Sequence, residues 1–407
     1  MSERATGTEA IFGTHDEKTI AQLHEVASRA ERVALMADGH VGYVMPIGGV
    51  AAYRNQVSVV GVGFDIACGN AAIMTDRRID EYSRRELEDL ATEIQQSISF
   101  GVGLSNRSKD APKADAIFED AAWSALPADA KASALKEKAR QQLGTVGSGN
   151  HYVDVFSDEL GRIWVGVHFG SRGFGHTVAS GFLALSQNQK WGVRVPEREA
   201  LLDLSMPIGD AYWSLMELGG KYAYAGREWV ARKVVSILGG TELDLVHNHH
   251  NFAWKENQSG EELVVVRKGA TPAFPGQRGF VGGSMGDNAV ILEGSTAAPE
   301  QSEAALWSTV HGAGRVMSRT EARGKRKGWG PKARVVSPGK VSWEMVNDWL
   351  GPRGIILRGG GLDEAPQAYR RLPDVLAAQG DTVKVLHTLQ PIIVVMAGEN
   401  EYDPYKD

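Results

Sequence analysis

The amino-acid sequence predicts an α/β (α+β) fold, built as one compact domain with insertions. Three observations lead there. Apolar runs of strand length, such as Tyr152–Phe156, Ile163–Val167, Leu243–Val246 and Leu263–Val266, alternate with longer stretches of helical periodicity. Glycine-rich motifs follow or precede such runs between residues 38 and 319, as loops converging on one place would. No internal repeat and no clear linker interrupts the 407 residues, so a single domain over 1–407 is expected.

Composition narrows the class. With 43% hydrophobic and 23% charged residues, the chain is of ordinary globular type and long enough for a large core. A formal net charge of -6 excludes an overall polycation, so a nucleic-acid partner would be gripped by a local basic patch. The single cysteine excludes an intrachain disulfide framework. Met1-Ser2-Glu3-Arg4 opens without a signal-peptide apolar region, and no run reaches membrane-spanning length. The expectation is a cytoplasmic protein with no membrane partner.

After a polar lead over 1–16, Ile20, Leu23, Val26 and Ala27 have the spacing of an amphipathic helix within Asp16–Arg32. Asp38 and His40 alternate at a loop or strand end, where capping and catalysis fit the local sequence equally well. A β-like run, Val57–Val60, leads into Gly61-Val62-Gly63-Phe64-Asp65-Ile66-Ala67-Cys68-Gly69-Asn70, the stretch around which the chain is organised. A carboxylate and a thiolate three residues apart can meet one metal from a tight turn, and the glycines permit close backbone approach. A buried free cysteine beside a turn-forming aspartate accounts for the same residues. Ala71–Met74 reads as a buried strand, Asp80–Ser97 as a helix, and 104–143 as a surface helical insertion.

Gly144–His151 forms a glycine-rich turn into one strand, and the next strand ends at His168, before Arg172. Two strand-adjacent histidines with glycines alongside make a better metal signal than either alone. Residues 176–238 read mostly as helix, their aromatics packing a core. His247-Asn248-His249-His250-Asn251 then follows an apolar strand with more polar groups than a structural turn needs. Arg267-Lys268 opens a loop with paired cations; the Gly282–Gly286 loop can cradle an anion but lacks a Walker A ending. His311-Gly312-Ala313-Gly314 reads as a glycine loop opening a helix. With Arg315 and Arg319 this makes a phosphate site, beside a histidine able to attack phosphorus. Arg323, Lys325, Arg326, Lys327, Lys332 and Arg334 form a cationic patch suited to nucleic acid, or a solvated loop. Helices and strands alternate over 341–388, Ile392–Met396 is the last strand, and 399–407 is a polar tail.

Taken in order, the Asp38–Val50 segment, GVGFDIACG, GTVGSGNH, HFGSRGFGH, HHNF, RKGATPAFPG, GGSMG and HGAGRVMSR resemble the RtcB family of RNA-splicing and RNA-repair ligases, from about Ile20 to Gly398. The resemblance implies β-sheets around a central site for two metals, usually Mn²⁺, with peripheral helices. It implies that Cys68 bridges both ions, with Asp65 and His151 completing one site and His168 and His250 the other. His311 would take GMP from GTP; Asn150, Asn251, Ser284, Met285, Gly312, Ala313 and Gly314 would hold the nucleotide. Arg172, Arg315 and Arg319 would hold RNA phosphates. The implied substrates are RNA 3′-phosphate or 2′,3′-cyclic phosphate ends and 5′-hydroxyl ends, in RNA repair or tRNA splicing, with archease as a candidate activator.

Three positions depart from the family pattern. Ala397 replaces a guanine-contacting lysine, Asp154 replaces a glutamate, and Asp287-Asn288-Ala289 replaces small hydroxyl residues. All three are expected in or near the nucleotide pocket. They leave open a specialised relative with another nucleotide or a target such as cleaved rRNA or tRNA. A metal-dependent RNA-binding protein that no longer ligates is a further alternative, against which the complete set of metal-type residues and His311 speaks.

Overall fold

Valine- and isoleucine-rich segments pair into an eight-stranded sheet. Its order is Arg278–Val281, Ala289–Gly294, Val383–Gly398, Tyr152–Ser157, Arg162–Phe169, Gly69–Arg78 and Glu242–His249, with Ile356–Gly360 added parallel to Val383–Gly398. The end strands nearly close on each other. Asn70 Nδ2 donates to Phe280 O at 2.8 Å, and Phe280 N donates to Asn248 Oδ1 at 3.0 Å. These buried side chains satisfy backbone that an open edge would leave unpaired. The computed structural model describes residues 8–328, 334–399 and 401. Met1–Arg4, Lys332, Asn400 and residues 402–407 of the expected tail lie outside the described residues.

A five-stranded sheet runs Thr8–Ile11, Arg32–His40, Ile47–Tyr53, Glu261–Lys268, Asn251–Gln258. Alternation sends Val33, Leu35, Ala51, Tyr53, Val264 and Val266 to a helix-covered core. Ala34, Met36, Val50, Ala52, Leu263 and Val265 go to the opposite face, against Val281, Val290 and Leu292 of the larger sheet. The helix Pro207–Ile237 joins two cores: Tyr212, Leu215 and Tyr222 enter one, and Val230, Ala231 and Val234 the other. The chain is one compact domain of mixed helices and sheets, and among the described residues no helix is long and apolar enough to cross a membrane.

Several expected elements differ. The lead contains the strand Thr8–Ile11, and the first helix is Glu17–Ala27, capped by Asp16; both faces of Arg32–His40 are claimed by cores, so that stretch extends as a strand. The β-like run stops at Ser58, whose hydroxyl accepts from Gly61 N and starts the short helix Val59–Val62. Residues 104–143 form 3-10 turns and the helix Ala132–Gln142, with Phe118 and Trp123 buried in the core that holds Phe174. Residues 176–238 split between Arg172–Ser186 and Pro207–Ile237, with the strand Leu201–Asp203 between them. The loop 312–314 opens no helix; the helix there is Arg319–Arg323, capped by the Ser318 hydroxyl.

Candidate active site

Strand register assembles the site. Gly69 pairs with both Phe169 and His249, and Tyr152 pairs with His168. Cys68, His151, His168 and His250 therefore emerge at one rim of the larger sheet. Asp65 is held in the preceding turn, where Cys68 N donates to Asp65 O at 3.0 Å. His250 N donates to Cys68 O at 2.8 Å, locking two of these segments together. Two non-glycine residues beside the cluster, Ala67 and Arg172, take left-handed φ values of +60° and +56°, strain of a kind that concentrates at functional sites.

The side chains form two triads that share one sulfur. Asp65, Cys68 and His151 make one; Cys68, His168 and His250 make the other, and within each triad the possible ligand atoms lie within 4.8 Å of one another. Cys68 Sγ is 3.3 Å from His168 Nε2 and 3.7 Å from His151 Nε2, and Asp65 Oδ2 is 3.1 Å from His151 Nε2. His168 Nδ1 faces the Asn150 carbonyl at 3.1 Å, which turns its Nε2 to the sulfur.

Electrostatics fit this set to metal ions. Burial, then neighbouring histidines, holds His168 and His250 well below the ordinary imidazole range, so both are neutral and keep a lone pair. Burial and the Asp65 charge push the Cys68 thiol well above its usual range; a cation beside it supplies the charge that a thiolate needs. Asp65 Oδ2 is buried without a well-directed hydrogen bond, despite its 3.1 Å approach to His151. Sulfur, imidazole and carboxylate together suit Zn²⁺ or Mn²⁺. A third acidic group, Asp158, Glu159 and His387, is different: Asp158 already serves Arg162, Trp164 and two backbone N–H groups.

His311 stands next to the second triad, its ring centroid 4.9 Å from that of His250. Asp38 Oδ2 lies 2.6 Å from His311 Nδ1, off the ideal hydrogen-bond line, and accepts from His311 N at 3.0 Å and Gly312 N at 3.1 Å. Burial alone would raise the Asp38 carboxyl; the His311 contacts outweigh it and hold the group below its usual range. Nε2 is then the ring nitrogen left for chemistry. The loops 282–286 and 311–314 face each other, since a Cβ on Gly312 would meet Gly282 O at 3.5 Å.

The remaining expected residues divide. Asn150 is exposed beside the cluster, whereas Asn251 ties the Cys68 segment down: its N donates to Cys68 O and its Oδ1 accepts from Gly269 N at 2.7 Å. Ser284 donates to Asp287 at 2.6 Å, and Met285 and Ala313 are buried. Gly314 comes close to the Asp38 carbonyl. Arg172 borders the cluster and donates to Gly101 O and Thr145 Oγ1. Arg315 and Arg319 are engaged by the buried Asp363 and Glu364, with Tyr369 on Arg315. A Cβ on Gly149 would lie 2.9 Å from Arg319, so this network borders the His151 loop.

Ala397 is not where the sequence placed it. Strand alternation sends it with Val395 into the apolar core against Val146 and Phe100, on the opposite face from Tyr152 and Met396. Asp154 does share the face of Tyr152, where it is buried, and that burial raises its carboxyl well above the ordinary range. Sequence reasoning missed Arg227, Asp363 and Glu364. For Arg227 a signal existed, a lone cation at an otherwise buried helix position between Gly226 and Val230.

Fold and site together define a class: a mixed α/β protein with a metal-competent Asp/Cys/His centre beside a carboxylate-held histidine. Residues 18–397 match the family model described as tRNA-splicing ligase RtcB. The chain is 29% identical to the RNA-splicing ligase RtcB of Escherichia coli (strain K12), covering 90% of each chain. It is 30% identical to the tRNA-splicing ligase RtcB of Thermococcus kodakarensis, over 84% of this chain and 82% of the relative. It is also 30% identical to the RNA-splicing ligase RtcB of Mycobacterium bovis, over 84% and 91% respectively. The chain belongs to the RtcB family.

Proposed function

We propose that the protein is a GTP-dependent RNA ligase of the cytoplasm, joining RNA 3′-phosphate ends, or 2′,3′-cyclic phosphate ends after opening, to 5′-hydroxyl ends. The observation that carries this reading is the placement of His311, held at Nδ1 by Asp38 with its ring 4.9 Å from His250 of the metal-competent cluster. His311 Nε2 attacks the α-phosphorus of GTP; an N–P bond forms, the α–β bridge breaks, and pyrophosphate leaves. An oxygen of the RNA 3′-phosphate then takes the GMP group and frees the imidazole. The 5′-hydroxyl attacks the activated 3′-phosphorus, GMP departs, and a phosphodiester remains.

Asp65, Cys68 and His151, and Cys68, His168 and His250, are the residues that would hold two Mn²⁺ ions. Bound there, the ions supply charge neutralisation at phosphorus. Asn150, Ser284 and the 312–314 backbone border the nucleotide, and Arg172, Arg315 and Arg319 border the RNA phosphates. An archease-type activator fits the same reading.

The test is labelling with α-³²P-GTP and α-³²P-ATP in parallel, with Mn²⁺, on wild type and His311→Ala. A GMP adduct that disappears in the variant is expected. Labelling that persists in His311→Ala overturns the assignment, and an AMP adduct in place of GMP overturns the choice of nucleotide.

A further inference from the structure

We infer that Arg227 is the positioning residue of the Cys68–His168–His250 triad, an inference that rests on reading that triad as a metal centre. Arg227 is fully buried in the middle of the helix Pro207–Ile237. Its guanidinium makes four directed contacts. Nη1 donates to Ala67 O at 2.8 Å and to Phe169 O at 2.6 Å. Nη2 donates to His249 Nδ1, and Nε to His247 Nε2, both at 2.8 Å.

Three of these acceptors have a shared property. Ala67 precedes Cys68, Phe169 follows His168, and His249 precedes His250. One rigid group thus touches, one residue away, each chain segment that carries a member of the triad. Asp65 and His151 lie outside its reach by these contacts.

The chemistry of the group adds to the geometry. A guanidinium only donates, so the contacted nitrogens of His247 and His249 carry lone pairs, and both tautomers are set. His247 Nδ1 then faces Glu228 at 3.5 Å. The Tyr224 ring stacks on His249 with centroids 3.9 Å apart and covers that side. The left-handed Ala67 is held by the Arg227 bond at its carbonyl and by Ala67 N donating to Asn251 O at 2.7 Å. Burying a charge is costly, and an apolar side chain would fill a purely structural position at less expense. Lysine lacks the planar fork and cannot reach this set of acceptors together.

The experiment is a Co²⁺ titration of chelator-stripped wild type, Arg227→Lys and Arg227→Met. Stoichiometry is followed by equilibrium dialysis, thiolate-to-cobalt absorption reports Cys68 ligation, and melting temperature is read in parallel. Arg227→Lys is expected to remain folded, to bind Co²⁺ about 10- to 100-fold more weakly, and to lose intensity in the thiolate band. A Lys variant with wild-type affinity and band overturns the role of Arg227, whatever its melting temperature. A Lys variant that does not fold also overturns it, because the role is then structural. A wild type without a thiolate–cobalt band overturns the metal-centre reading itself.

Discussion

Asp38 and His311, 273 residues apart in the chain, meet with Asp38 Oδ2 2.6 Å from His311 Nδ1. The same oxygen takes two backbone N–H groups of the 311–312 loop, so ring and loop are oriented by one buried carboxylate. Asp38→Asn keeps the size but can present an N–H to Nδ1 and favour the wrong tautomer. Nucleotide transfer to His311 is expected to fall by about 10²-fold or more, with the melting temperature near wild type. Single-turnover labelling measures it; an unchanged rate would remove Asp38 from the site.

Gly170 follows the His168–Phe169 strand end, and a Cβ there would overlap the Asp65 carboxylate. Its φ is not left-handed, so Gly170→Ala acts through space rather than backbone strain. The expected outcome is displacement of Asp65 and loss of metal from the Asp65–Cys68–His151 triad, read by elemental analysis. Wild-type metal content in this variant would show that the carboxylate has room to move.

Cys68 belongs to both triads and Asp65 to one. Cys68→Ala is therefore expected to lower bound metal more than Asp65→Asn does. Chelation should abolish nucleotide labelling and Mn²⁺ should restore it in wild type only. Equal metal content in the two variants would contradict a shared sulfur.

Burial raises the Asp154 carboxyl well above the ordinary aspartate value of 3.8. The folded chain keeps this proton where the unfolded chain has released it, so stability is highest below about pH 4 for this group and falls as pH rises toward the folded pKa. Asp154→Asn removes that dependence. Its melting temperature should gain on wild type between about pH 5 and about pH 8. A pH-independent difference would mean that Asp154 is already ionised or does not titrate in this range.

Arg319 pairs with Asp363 and Glu364, whose side chains are 0% and 4% exposed. Arg319→Ala takes one guanidinium away from the pair, while Arg315 and the Tyr369 hydroxyl stay on Glu364, and the expected loss is about 2 kcal/mol in denaturant unfolding. Adding Asp363→Asn and Glu364→Gln should recover much of it. No recovery would assign the loss to packing.

Much of the site was legible because its residues break local pattern. Cys68, His151, His168 and His250 sit where apolar strands end in glycine and polar groups, which packing alone does not require. The strands were legible as apolar runs of strand length, because strands covered on both faces are buried continuously, as in Arg162–Phe169. Boundaries were less so, as at Ser58, where a hydroxyl cap turns a β-like run into a helix.

By itself, the sequence determined which residues can carry chemistry and that they lie at strand termini, since residue type and periodicity are local properties. Tertiary structure alone decided who meets whom. Register brought Cys68 between His168 and His250, the pleat turned Ala397 away from Tyr152, and packing delivered Asp38 to His311 and Arg227 to three separate segments. Those contacts join residues distant along the chain, and their partners are set by sheet pairing and burial, which no local spacing encodes.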